Sequence, residues 1–187
     1  MSNSTNYTTI TAGEFRGRKI ATPVVSTTHP MGSREKLALF NTLVSLIGPL
    51  EGVETVLDCY CGSGALGLES LSRGAKKAVF VDYNASALAA VKENINTLGV
   101  IDRAELIKTD VAKIASTSVS WRKYDLILVD PPYGNFPENL ADLANLLAKN
   151  GVLVLSHPAS VSPVSVISNL ELISTKSYAG ANLSFFR

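Results

Sequence analysis

The sequence predicts an α/β protein built on a mostly parallel β-sheet. Between Pro49 and Pro158, short apolar stretches with strand character alternate with helical stretches, which is typical of parallel strands joined by crossover helices. The predicted parallel strands are residues 55–58, 78–82, 104–107, 126–130 and 152–156. A glycine-rich loop follows the first of them, as in open α/β sheets that bind a ligand beyond their strand ends.

Two helices are predicted between these strands. The clearer one is 85–98, where apolar residues recur at helical spacing at Ala85, Leu88, Val91, Ile95 and Leu98. Asn94 and Asn96 fall outside that stripe. The second helix is predicted over 139–149, ending at Asn150-Gly151.

Two smaller units flank the predicted sheet. Residues 7–11 and 19–25 read as a small hairpin, and Ser33 can cap a helix from Arg34 to about Ile47. Residues 170–174 and 182–186 read as an antiparallel C-terminal hairpin around Ala179-Gly180. We therefore expect an N-terminal appendage, 1–49, and a main domain, 50–187.

Composition favours an enzyme-sized globular domain. Of the 187 residues, 46% are apolar and 18% are charged, which argues against disorder. The first nine residues are polar, and no apolar run approaches the roughly 20 residues of a membrane span, so we expect a cytoplasmic, monomeric protein. Cys59 and Cys61 are too close for an ordinary disulfide and too few for zinc, so no metal is expected.

The charge is unevenly distributed along the chain. The first 36 residues carry a net charge of +3, whereas the whole chain carries only +1. Arg16, Arg18 and Lys19 form a compact basic cluster around Gly17, and Arg34 lies at the predicted helix start. Such residues either contact nucleic-acid phosphates or form a solvated surface, and charge alone leaves both interpretations open.

Aspartates stand at or just beyond the ends of four predicted parallel strands. They are Asp58, Asp82, Asp110 and Asp130. A single aspartate there is usually a helix cap or a turn former. Four at one edge of a sheet indicate a polar ligand bound in the crevice beyond the strands.

The loop Cys59-Tyr60-Cys61-Gly62-Ser63-Gly64-Ala65-Leu66-Gly67 matches the glycine spacing of dinucleotide sites. This spacing does not by itself distinguish NAD from S-adenosylmethionine, and Asp82 can hold a ribose in both cases. Asp58 lies four residues before Gly62, where it would attract a cationic amino acid and repel a pyrophosphate. We therefore predict S-adenosylmethionine as the cofactor, bound by Asp58, Cys59, Gly62, Ser63, Gly64 and Asp82.

The fourth predicted strand runs into Asp130-Pro131-Pro132-Tyr133. The two prolines stiffen this segment and remove amide donors, so its carbonyl groups stay free. Hydrogen bonds from an amino group to Asp130 and the Pro131 carbonyl would localise the nitrogen lone pair for methyl transfer. Tyr133 can stack on an extruded base. We predict that these four residues are the catalytic segment for methylation of a base amino group.

The chain resembles the RsmD family of 16S rRNA guanine-N2 methyltransferases over nearly its whole length. Residues 12–19, Ala-Gly-Glu-Phe-Arg-Gly-Arg-Lys, are similar to the opening segment of the family. Thr28, Pro30, Arg34, Lys36 and Leu39-Phe40-Asn41 match its next helix. The core matches through Asp58, residues 62–69, Ser72-Arg73-Gly74-Ala75 and Asp130-Pro131-Pro132-Tyr133. His29, Met31 and Leu37 depart from the family pattern.

The resemblance implies a class I, Rossmann-like methyltransferase that acts on one guanine of 16S rRNA or the assembling 30S subunit. It also implies that Asp82 holds the cofactor ribose and that Asp110 lies near the adenine amino group. Arg16, Arg18, Lys19 and Arg34 would contact RNA. Three alternatives are less well supported: a DNA amino methyltransferase, an NAD-dependent oxidoreductase and a silent RNA-binding module.

Overall fold

The computed structural model describes residues 6–23, 31–117, 122–132, 137–162, 165–178 and 180–187. Its strands are β1 (Asn6–Thr9), β2 (Lys19–Thr22), β3 (Thr55–Cys59), β4 (Lys77–Asp82), β5 (Ala104–Lys108), β6 (Tyr124–Val129), β7 (Leu147–Pro158), β8 (Val166–Ile167), β9 (Leu170–Tyr178) and β10 (Ala181–Phe186). Its α-helices are α1 (Ser33–Ile47), α2 (Ala65–Ser72), α3 (Ala85–Leu98) and α4 (Leu140–Asn145).

The central sheet has the strand order β5-β4-β3-β6-β7-β10-β9-β8. Strands β3 to β7 are mutually parallel, and β10 pairs antiparallel with both β7 and β9. From the central strand β3, the chain adds β4 and β5 on one side of the sheet and then β6 and β7 on the other. The carboxyl ends of β3, β4 and β6 therefore lie side by side where the direction of strand addition reverses. This confirms the predicted α/β fold and places the expected ligand crevice between these three strands.

Each face of the sheet is covered by its own apolar core. On one face, apolar residues of the β1–β2 hairpin, α1, α2 and α3 pack against Phe80, Leu126 and Val154. On the other, α4 and the turn Val111–Ser116 pack against Leu57, Ile127 and Leu155. Both faces of the parallel strands are therefore buried, as the apolar sequences of these strands predict.

A buried polar network joins the hairpin to α2. The Glu69 carboxylate is fully buried and accepts hydrogen bonds from the Thr11 hydroxyl at 2.6 Å and the Thr11 and Ala12 amides at 2.8 and 3.0 Å. Arg73 pairs with Glu69 at 2.9 Å, and the buried Lys36 ammonium donates to the Thr9 carbonyl at 2.8 Å. Charge-assisted hydrogen bonds thus hold the hairpin to α2 through Glu69 and to α1 through Lys36. The boundary at residue 49 stays a prediction.

The predicted helix at 139–149 is too long. Helix α4 ends at Asn145, and Leu147 already pairs with Tyr124, while Val152 pairs with Leu126. Between these two pairs β7 has three more residues than β6, so the start of β7 is irregular. Gly151 allows this because an added Cβ would lie 2.9 Å from the Asp125 carbonyl oxygen. The Asn150-Gly151 pair marks this irregularity rather than a helix end.

The buried stripe of α3 also differs from its prediction. Ala85 is exposed, whereas Ala87 and Asn94 are buried with Val91, Ile95 and Leu98. Asn94 is 2% exposed because its amide group has polar partners on both neighbouring segments. A hydrophobicity pattern treats such a residue as a surface residue and so misplaces it.

Strands β9 and β2 end at different residues from those predicted. Strand β9 continues to Tyr178, beyond the predicted end at residue 174. Strand β2 ends at Thr22, Pro23 follows it outside the strand, and residues 24–25 of the predicted range lie outside the described residues. Over the described segments, no helix is both long and apolar enough to cross a membrane.

Candidate active site

A cleft of about 1010 Å³ opens at the carboxyl ends of β3, β4 and β6. Its floor includes Asp58, Asp82 and Asp130, one from each of these three strand ends. The glycine loop forms one wall, and the start of α1, strand β1 and the antiparallel strands form the others. The structure therefore brings together three of the four predicted aspartates.

Asp58 lies at the bottom of the cleft and is 1% exposed. Its carboxylate Oδ2 accepts a hydrogen bond from the Gly67 amide at 2.9 Å. Burial raises the pKa of Asp58 well above its usual range, and the charges of Asp130 and Asp82 raise it further. A bound cation would compensate for this cost, because an opposite charge favours the ionised carboxylate.

Asp82 fixes the glycine loop and faces the cleft. One carboxylate oxygen accepts from the Gly62 amide at 3.0 Å, and the other accepts from the Asn84 amide at 2.9 Å. Tyr60, at the start of the loop, has a positive φ of 58°, which is uncommon for a bulky residue. The loop is therefore held in one conformation by a carboxylate that still has capacity for further donors.

Asp130 begins the predicted catalytic segment, directly after β6. The pKa of its carboxyl group is raised to about 6, mainly by desolvation. The Ser156 side chain has the opposite effect and lowers this pKa. The negative charge of Glu35 on α1 raises the pKa further. Pro131 and Pro132 line the same cleft. Tyr133 lies outside the described residues.

Three other predicted cofactor residues do not line the cleft. The Cys59 side chain is fully buried in the core on the α4 side of the sheet. Gly64 adopts a left-handed conformation at the start of α2, and its role is to let the loop turn into that helix. Asp110 caps the turn Val111–Ser116 by accepting from the Ala112 amide at 3.0 Å. Ser63 does line the cleft, with Cys61 and Gly62.

The four predicted RNA-contacting residues are exposed, and none of them lines the cleft. Arg18 donates a hydrogen bond to the Thr97 carbonyl at 2.9 Å, near the C-terminal end of α3. The other end of α3 borders the cleft at Ala87. Arg34 lies in the first turn of α1, beside the cleft residues Ser33 and Glu35.

Asn94 is a positioning residue that the sequence did not reveal. Its side-chain oxygen accepts from the Ala21 amide at 2.8 Å. Its side-chain nitrogen donates to the Ala21 carbonyl at 2.9 Å and the Ser63 carbonyl at 3.0 Å. Asn94 therefore ties the glycine loop to β2, whose end at Thr22 forms part of the cleft wall.

The carboxylates that line the cleft fit S-adenosylmethionine. A deeply buried carboxylate suits a cationic ligand, and the Asp82 carboxylate suits ribose hydroxyl donors. An ideal Cβ on Gly62 would have no closer neighbour than the Tyr60 carbonyl at 4.0 Å, so the cleft is open above the loop. None of the described residues forms a cluster of three or more side chains that could bind a metal.

Comparison with known proteins identifies the family. The family model described as Conserved hypothetical protein 95 matches residues 8–187. The chain is 36% identical to ribosomal RNA small subunit methyltransferase D of Haemophilus influenzae, over 81% of this chain and 76% of that protein. It is 31% identical to the protein of that name in Escherichia coli K12, over 77% and 68%.

Solved structures agree with this assignment. The chain superposes on yhhF of Escherichia coli, provisionally named a methyltransferase, with a TM-score of 0.82 and 25% identity, over 97% of both chains. The mostly parallel sheet with its antiparallel C-terminal strands is the class I methyltransferase fold, which confirms the predicted fold class. The chain belongs to the RsmD family, that of ribosomal RNA small subunit methyltransferase D.

Proposed function

We propose that the protein uses S-adenosylmethionine to methylate the exocyclic N2 amino group of a guanine in 16S rRNA of the small ribosomal subunit. One observation carries the proposal: Asp58, Asp82 and the Asp130-Pro131-Pro132 segment line one cleft at three adjacent strand ends. The relatives named as small-subunit rRNA methyltransferases support the substrate class. We also propose that the enzyme is a monomer and acts in the cytoplasm.

In this mechanism the protein binds and orients the two reactants. Asp58 would hold the cationic amino-acid portion of the cofactor, Asp82 would accept from the ribose hydroxyls, and residues 61–63 would line the wall beside them. The bound cofactor supplies an electrophilic methyl group on its sulfonium. Cys59, Gly64 and Asp110 would act indirectly, by shaping the glycine loop and the adjoining 3₁₀-helix.

Asp130 prepares the target nitrogen. The N2 lone pair of guanine is delocalised into the ring, so the amino group is a weak nucleophile. Hydrogen bonds from its N–H groups to the Asp130 carboxylate and the Pro131 carbonyl would move the nitrogen toward tetrahedral geometry and localise its lone pair for methyl transfer. The proton lost after transfer can pass to Asp130. Tyr133 would stack on the extruded base.

The cofactor assignment is tested by calorimetry with S-adenosylmethionine, its demethylated product and NAD. We expect the first two to bind and NAD to give no heat above dilution, since a pyrophosphate would lie near the buried Asp58. Asp82→Ala should weaken S-adenosylmethionine binding by roughly tenfold or more, because a ribose loses its acceptor. NAD binding at comparable affinity would contradict the proposal. Mapping of rRNA methylation in cells with and without the gene would identify the nucleotide.

The pH dependence of the transfer step should report Asp130. The ionised carboxylate is the stronger hydrogen-bond acceptor and only this form can take up the proton, and the pKa of Asp130 is raised to about 6. The single-turnover rate should therefore fall as the pH drops through about 6 and level off above about pH 7. Asp130→Asn should give a low rate that does not change with pH near 6. If the single-turnover rate of the unaltered protein did not change with pH over this range, a group other than Asp130 would be the acceptor.

RNA binding by the exposed basic residues is tested by salt titration. Arg16 and Lys19 are exposed, and within the described residues their side chains, unlike that of Arg18, make no hydrogen bond or ion pair. Arg16→Gln with Lys19→Gln should raise the Kd for 30S particles and reduce the salt slope by about 0.7 to 0.9 for each phosphate that the protein no longer neutralises. Lys149→Gln, exposed at the start of β7, is the matched control. An unchanged slope in the double variant would mean that RNA docks elsewhere.

A further inference from the structure

The wall of the cleft beside Asp130 carries two polar side chains that the mechanism does not use. Glu35 lies in the first turn of α1, and Tyr178 lies at the end of β9. Both line the cleft, together with Ser156 and Ala181. They are on the target side of the cleft, away from the glycine loop, where the base to be methylated must enter.

The register of the antiparallel strands fixes where Tyr178 lies. Ser156 pairs with Leu183, and two residues further on Pro158 pairs with Ala181, which pairs with Tyr178. Paired residues and residues two apart share one face of a sheet. Tyr178 is therefore on the same face as Ser156, which lines the cleft together with Asp130.

The start of α1 lies against the same group of residues. Met31, two residues before the helix, shares a small pocket with Asp130, Ser156 and Leu183. Glu35, in the first turn of the same helix, lines the cleft with Asp130 and Tyr178. Desolvation raises the pKa of Asp130 and of Tyr178, and the negative charge of Glu35 raises both further. The three polar groups thus face the same cleft.

Glu35 retains capacity for a ligand. Its Oε2 accepts from the Gly32 amide at 2.9 Å, which holds the side chain at the helix start. Within the described residues this is its one recorded hydrogen bond, and an ionised carboxylate has about four acceptor sites. The helix cap therefore explains the orientation of Glu35 but uses only part of its hydrogen-bonding capacity.

The Watson–Crick edge of guanine presents an acceptor at O6, a donor at N1–H and donors at N2, in that order. Given the proposed function, on which this inference rests, we propose that Glu35 and Tyr178 are the specificity-determining residues that select guanine. The Glu35 carboxylate accepts from N1–H and the Tyr178 hydroxyl donates to O6, while Asp130 holds the N2 amino group. Adenine has an acceptor at N1, which would face the Glu35 carboxylate without a proton between them.

A base analogue tests this assignment directly. 2-Aminopurine keeps the amino group at C2 but has an unprotonated N1 and no O6. In RNA carrying it at the mapped target position, the unaltered protein should methylate 2-aminopurine with a kcat/KM about 10- to 100-fold below that for guanine. In Glu35→Gln the amide oxygen can still accept from Gly32 while the amide nitrogen donates to N1 of the analogue. The preference for guanine should therefore shrink to about threefold or less.

Two further variants make the test decisive. Tyr178→Phe should also reduce the preference for guanine, because it removes the donor to O6. Glu93→Gln removes an exposed carboxylate from α3 and should leave the preference unchanged. If Glu35→Gln and Tyr178→Phe both keep the full preference while the unaltered protein methylates guanine, the inference is overturned and the proposed function stands. If the unaltered protein methylates no guanine in 16S rRNA, the proposed function itself fails.

Discussion

Asp130→Ala is expected to lower the single-turnover rate of methyl transfer by about 10²- to 10³-fold at saturating S-adenosylmethionine. The physical reason is that the target amino group loses the charged acceptor that localises its lone pair. The cofactor affinity should stay within about twofold, because its proposed contacts are with Asp58, Asp82 and the glycine loop, and a twofold change is only about 0.4 kcal/mol. Rapid-quench measurement with labelled cofactor gives the rate, and calorimetry gives the affinity.

Two other variants distinguish loss of chemistry from loss of structure. Asp130→Asn keeps the shape and one acceptor oxygen but removes the charge, so its rate should lie between those of the unaltered protein and Asp130→Ala. Asp82→Ala should show the opposite pattern, with weaker cofactor binding and a smaller loss of rate at saturation. A near-normal single-turnover rate in Asp130→Ala would exclude the proposed mechanism.

Much of this site could be predicted because its residues follow regular strands. Asp58, Asp82 and Asp130 come from three neighbouring strands, and the parallel arrangement alone brings such strand ends together. Asp110 follows β5, the outermost parallel strand, and its side chain caps a local turn. Sequence spacing shows that a residue follows a strand but does not show which way its side chain turns.

The residues that sequence reasoning missed are polar groups buried by tertiary contacts. Asn94 and Glu69 lie on helices, and both are buried because partners from the hairpin, more than 50 residues away along the chain, satisfy them. For Glu69, the spacing of four residues to Arg73 was the available signal of an ion pair. For Asn94 no local pattern distinguishes a buried amide from an exposed one.

The segment with the most specific family resemblance has a structural role as well. In residues 12–19, the amides of Glu14 and Phe15 donate to the Ser72 carbonyl and hydroxyl at 2.7 and 2.9 Å. The Ser72 hydroxyl in turn donates to the Ala12 carbonyl at 2.6 Å. This segment docks the hairpin on α2, and Arg18 anchors it to α3. The resemblance in residues 12–19 therefore does not by itself indicate RNA contact.

Residues 12–19 pack very closely on α2. For this reason Gly13→Ala is the variant with the largest expected loss of stability. Gly13 has a φ of +82°, and an added Cβ would lie 1.8 Å from the Ser72 carbonyl oxygen, so the hairpin must move away from α2. Gly17 has a nearly identical φ of +83°, but its Cβ would meet nothing within 4 Å. Gly17→Ala therefore measures the cost of the left-handed backbone alone, about 1 to 2 kcal/mol.

Gly13→Ala should reduce the free energy of unfolding by about 1 to 3 kcal/mol more than Gly17→Ala, because it adds a backbone clash to the same conformational cost. Denaturant unfolding of both variants measures the difference. Since Thr8 and Thr9 of β1 line the cleft, Gly13→Ala should also weaken S-adenosylmethionine or RNA binding, whereas Gly17→Ala should not. Equal losses of stability in the two variants would show that the hairpin does not depend on the close approach of Gly13 to Ser72.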